Sequence, residues 1–132
     1  ATYNFFAHIA EQWVLSGQTT EAYLASYRGA ALEQKGAQLQ QLAEAVNVDG
    51  GRFLIVVLPL LYDFEHYPFG EIHSTIAKWG QDNDVDVIDG FEALKDHKAS
   101  DLWVHPIDHH PNEVAHEVIA QAIFERMTSS SK

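Results

Sequence analysis

Arg52-Phe53-Leu54-Ile55-Val56-Val57-Leu58-Pro59 is the stretch whose reading decides the fold of this chain. It follows the turn signal Asp49-Gly50-Gly51, carries no polar residue from Phe53 to Leu58, and closes on a proline. A continuous aliphatic run without alternation is the pattern of a strand buried on both faces of a parallel sheet. Parallel neighbours need a long crossover, usually helical, and the flanking segments fit that demand. Upstream, Leu32, Leu39, Leu42, Ala43 and Val46 form an apolar stripe that predicts an amphipathic helix over 30–46. Earlier still, Phe5, Phe6, Ile9, Trp13 and Val14 predict a helix over 2–14, and a second begins at Thr19-Thr20-Glu21, broken or bent at Gly29. Downstream, an aromatic loop over 62–68 leads to a predicted helix over 69–79 with Ile72, Ile76 and Trp79 on one face. Asp84-Val85-Asp86-Val87-Ile88-Asp89 reads as a second short strand. Strand, helix, strand implies a right-handed βαβ unit and a layered α/β fold. A short helix over 91–94, a loop containing Trp103 and the histidines, and a final helix from Asn112 onward complete the order.

With 132 residues, 46% hydrophobic and 20% charged, the chain has the composition of one globular domain, read here as 1–127 followed by a frayed polar tail over 128–132. Eight Lys and Arg against 19 Asp and Glu give a net charge of −11, the wrong sign for a nucleic-acid backbone or an anionic membrane surface. There is no cysteine, so a disulfide framework and a thiol nucleophile are excluded, and any metal would need His and carboxylate ligands. The apolar run 53–61 is far shorter than the ~20 residues of a membrane span, and no basic segment followed by an apolar one opens the chain as a signal peptide would. Compartment is left open.

Half of the eight histidines, His105, His109, His110 and His116, fall close together around Asp108. Three readings are open. The imidazoles can simply fill the loop and cap the final helix. Asp108, His109, His110 and His116 can supply nitrogen and oxygen ligands to zinc, although adjacent side chains diverge and no H-E-x-x-H signature is present. Finally, Asp108-x-His110 can form an acid–base pair, the carboxylate holding one imidazole nitrogen so that the other accepts a proton. Pro111 would stiffen that turn and Asn112 would cap the helix after it. Asp101 with His105-Pro106 is the reserve pair. Trp103 is expected to anchor the loop to the core. Tyr62, Phe64, Tyr67 and Phe69 with His66 are either the wall of an acyl pocket or a loop folded onto its own apolar cluster. Asp84, Asp86 and Asp89 read as edge protection or, less readily, as a metal cluster.

Phe53-Leu-Ile-Val-Val-Leu-Pro-Leu-Leu61, Tyr67-Pro-Phe69, Val87-Ile-Asp89 and above all Asp108-His109-His110-Pro111-Asn112 followed by Ala115-His116 resemble the C-terminal half of SGNH/GDSL-type hydrolases. The resemblance implies a flavodoxin-like three-layer α/β/α fold, of which this chain would hold about two parallel strands and several helices. It further implies hydrolysis of small carboxylic esters without a metal or other cofactor, with His110 as general base and Asp108 as its orienting carboxylate. Many members place two residues between that Asp and His, where this sequence has one. The Gly-Asp-Ser nucleophile and the Gly-x-Asn-Asp oxyanion block of the family are absent, and no serine here follows a buried strand. The expectation is therefore the base-bearing half of an esterase, inactive by itself, with the nucleophile on a segment outside it. The alternative is an inactive self-associating fragment or a His-rich metal-binding module. A strand that is apolar on both faces wants a neighbour on each side, so a homodimer or segment-exchanged oligomer is expected.

Overall fold

The computed structural model describes residues 20–129, and the helix expected over 2–14 lies outside them. The chain divides into two compact units, Ala1–Leu39 and Gln40–Lys132. In the first, residues 20–25 are helical and the helix breaks at 26–28. There the Ser26 hydroxyl returns to the Tyr23 carbonyl at 2.8 Å. Lys35 Nζ donates to the Ser26 carbonyl and lies over the Tyr27 ring. Helix α1, Gly29–Val48, begins just after the break.

The second unit carries the α/β architecture. Strand β1, Leu54–Val57, runs parallel to β2, Asp86–Asp89, with Leu54 opposite Asp86 and Val57 opposite Asp89. Helix α2, Gly70–Asp82, makes the crossover between them. The fold is thus mixed α/β with a two-stranded parallel sheet, as the unbroken apolar run requires. Each residue of β1 is half-buried, and among the described residues β1 has a strand on one side alone.

Helices cover both faces of β2. Successive strand residues point to opposite faces. Val87 meets α2, and it does so at Gly80, where an added Cβ would lie 2.4 Å from Val87 Cγ2 and 2.8 Å from the Val85 carbonyl. Any larger residue there would push the helix off the sheet. Asp86, on the opposite face, binds Arg126 of the final helix α4, Glu113–Ser129. Helix α3, Gly90–Leu94, follows β2 directly and packs on α4. The core lies between them: Leu94 and Leu102 are fully enclosed, with Leu61 and Ala115, and Phe64, Trp103, Val118 and Ile119 pack around them.

Two expectations are corrected. Residues 102–112 are not a loop: Trp103–His105 and Asp108–Pro111 form a second sheet, the antiparallel hairpin β3–β4. Its turn is Pro106-Ile107, proline fitting the second position of a tight turn because its φ is already set. The hydrophilic, His-rich composition hid these strands, whose residues are mostly exposed and so lack an apolar face to read. Nor is the tail frayed from Thr128, since α4 runs to Ser129, with the Thr128 hydroxyl on the Phe124 carbonyl at 2.8 Å. No helix among the described residues is long and apolar enough to cross a membrane.

Candidate functional site

The hairpin and the helix after it carry the His-rich residues, and Asn112 locks the two together. Its Oδ1 accepts the Val114 and Ala115 N–H groups at 3.0 and 3.2 Å, the cap expected at the start of α4. Its Nδ2 donates to the carbonyls of Asp101 and Trp103 at 2.9 and 3.2 Å. Trp103 anchors the hairpin as expected, its indole N–H donating to the Leu61 carbonyl at 2.8 Å.

On β4, Asp108 and His110 meet. Asp108 Oδ1 lies 2.5 Å from His110 Nδ1 and also accepts the His110 backbone N–H at 3.1 Å. The two bonds to His110, side chain first, hold the Asp108 carboxyl below the usual carboxylate range. An anionic oxygen on Nδ1 fixes the ring's orientation and tautomer. Among the described residues nothing hydrogen-bonds Nε2, and the His110 side chain is 86% exposed. The arrangement orients the ring through Nδ1 and leaves Nε2 facing solvent.

The neighbouring histidines make other contacts. His109 stacks on Trp103, ring centroids 3.8 Å apart and 14° from parallel. His105 stands opposite Asp108 across the hairpin, and its Nδ1 takes the Ile107 N–H. The reserve pair is not joined by a hydrogen bond: Asp101 lies in a 3-10 turn, Ala99–Leu102, and accepts from Ser100. His116 is exposed in the first turns of α4. Among the described residues no three His, Asp or Glu side chains are grouped so as to hold a metal ion.

Serine positions are equally informative. Ser74 bonds the Gly70 carbonyl inside α2, Ser100 bonds Asp101, and Ser129 bonds the Arg126 carbonyl. Among the described residues no serine hydroxyl reaches His110.

Phe64, Tyr67 and Phe69 of the aromatic loop cluster with Phe91, whereas Tyr62 and His66 are exposed. Tyr67 stacks on Phe91 at 4.3 Å, and Phe64 and Phe69 meet Tyr67 edge-on. Beside it an open groove of about 610 Å³ is walled by Phe64, Glu65, Lys95, His97, Lys98 and Trp103.

Sequence reasoning missed His73. It is buried in the first turn of α2, with Nδ1 2.6 Å from Asp89 Oδ1 and Nε2 3.1 Å from Tyr67 Oη. The signal was available: His73 falls on the helix face of Ile72, Ile76 and Gly80, and a buried imidazole there demands partners. Asp89 is not edge protection but the receiver of His73 and the cap of α3, accepting the Phe91 N–H at 2.9 Å. Asp86 likewise is spent on two arginines.

Comparison with family models, curated proteins and solved structures found no match to this chain.

Proposed function

We propose that this chain is the base-bearing part of an SGNH/GDSL-type serine ester hydrolase with a flavodoxin-like α/β/α fold. The observation that carries the reading is the 2.5 Å contact of Asp108 with His110 Nδ1 and the unbonded Nε2 opposite it. A position just before the last helix of a layered α/β unit supports it further. In the proposed reaction, Nε2 takes the proton of a serine hydroxyl as its oxygen attacks the ester carbonyl. Asp108, kept ionised, offsets the charge of the imidazolium. The imidazolium then returns the proton to the departing alkoxide, leaving an acyl-serine. A water molecule repeats the cycle, giving its proton to Nε2 and its oxygen to the acyl carbon.

The serine and the oxyanion donors come from another segment in this reading, and no cofactor takes part. The chain alone, lacking both, is expected to leave a short-chain p-nitrophenyl ester at the buffer rate, since loss of a single oxyanion donor already costs about 10²–10³ in rate. Combined with a segment bearing the Gly-Asp-Ser nucleophile, it should turn the ester over, and His110→Ala should lower that turnover by at least about 10³-fold. Turnover by the chain alone that His110→Ala abolishes, or combined turnover indifferent to His110→Ala, overturns the proposal.

That β1 has a strand on one side alone among the described residues supports a second element of the reading, association of the chain with another copy of itself.

A further inference from the structure

A line of contacts joins the C-terminal end of the parallel sheet to the exposed Asp108–His110 pair. It starts at Asp89, the last residue of β2, which binds His73 Nδ1 at 2.6 Å. His73 Nε2 meets Tyr67 Oη at 3.1 Å, and the Leu60 N–H donates to the same oxygen at 3.2 Å. An amide N–H can only donate, so Tyr67 Oη accepts from Leu60, and the hydroxyl keeps its own proton available for His73 Nε2. The Asp89 carboxyl oxygen 2.6 Å from Nδ1 makes that nitrogen the ring's donor side and leaves Nε2 to the Tyr67 hydroxyl. Each bond fixes the direction of the next.

Burial, with the Asp89 charge assisting, pushes the Tyr67 hydroxyl up to about 12 despite the Leu60 bond. It stays a donor and is no nucleophile. The next residue after Leu60 is Leu61, 4% exposed, whose carbonyl holds the Trp103 indole at 2.8 Å. Trp103 in turn carries the His109 ring, and His109 lies between Asp108 and His110 on β4. Two short strands with exposed side chains have little burial of their own to hold them in place. The Trp103 anchor supplies that support.

We propose that Tyr67, His73 and Asp89 are positioning residues for the Asp108–His110 base, acting through Leu60-Leu61 and the Trp103–His109 stack. The proposal rests on Asp108–His110 being the working pair of the site. Its test needs no ester turnover, so failure of the hydrolase reading and failure of this one are separately visible.

Tyr67→Phe keeps the ring on Phe91 and deletes only the oxygen; Asp89→Asn keeps an acceptor for the Phe91 N–H and deletes the charge. Both are made in the full chain and read by NMR at two places: hydrogen exchange of the Trp103 indole N–H, and the carboxyl titration of Asp108. In Tyr67→Phe the indole should exchange at least about 10-fold faster. The Asp108 midpoint should rise toward the ordinary carboxylate value of about 3.9 as the His110 bond loosens. Asp89→Asn should move both in the same direction. Arg52→Ala, which loosens the opposite end of β2, is the control for a general loss of stability and should move neither. An unchanged Asp108 titration in both variants overturns the proposal, as does an equal change in Arg52→Ala.

Discussion

Asp86 shows how one side chain can hold several elements at once. Arg52, just before β1, places Nε and Nη2 on its Oδ2 at 2.9 and 2.5 Å, and Arg126 of α4 places Nε on Oδ1 at 2.8 Å. The Arg52 hydrogen bond is the main cause of a carboxyl held below its ordinary range, with Arg126 adding to it against a desolvation that opposes both. The folded-state value lies below the unfolded one. The contribution is therefore complete above about pH 4 and is lost as pH falls through the folded-state value. With the two guanidinium side chains 39% and 48% exposed, solvent screening limits that contribution to about 1 kcal/mol. Asp86→Asn should lower the urea unfolding free energy by about that much at pH 7, and the gap to the unaltered protein should close as the pH drops below about 4. A gap that persists undiminished in acid would assign the effect to packing rather than charge.

Among the elements, α4 is fastened at its start by one residue. Asn112 caps it through Oδ1 and ties it to the hairpin through Nδ2. Asn112→Ala should cost about 1–2 kcal/mol in chemical denaturation, whereas Asn112→Asp, which keeps the accepting oxygen and loses the donor, should cost less. Equal losses in the two would mean that the cap contributes nothing. Elements with a strong apolar pattern were legible beforehand: β1 from its unbroken aliphatic run, α2 and α4 from helical spacing, the cap from Asn112 itself. The hairpin was not, because exposed strands of His, Asp and Pro carry no alternation. The Asp108–His110 pairing was legible from spacing, since the bond is local. The His73–Asp89 bond, spanning 16 positions, was not, because only the crossover brings its ends together.

At the scale of the whole molecule, the two strands of the parallel sheet among the described residues, with Leu58 and Leu60 exposed just beyond β1, leave a side of β1 without a strand there. Light scattering on the purified chain should give twice the monomer mass, and dilution should restore the monomer; a stable monomer at all concentrations would remove the self-association element of the reading. The parallel pairing has a consequence for synthesis as well. Leu54 pairs with Asp86, so β1 leaves the ribosome long before its partner exists, a wait of roughly 2–6 seconds at the usual pace of about 5–20 residues per second. Throughout that interval Phe53 to Leu58 is an uncharged, β-prone hexamer of the kind that pairs with copies of itself. The quantity produced in folded form should therefore depend on how crowded translation is, and on whether a chaperone occupies that hexamer first.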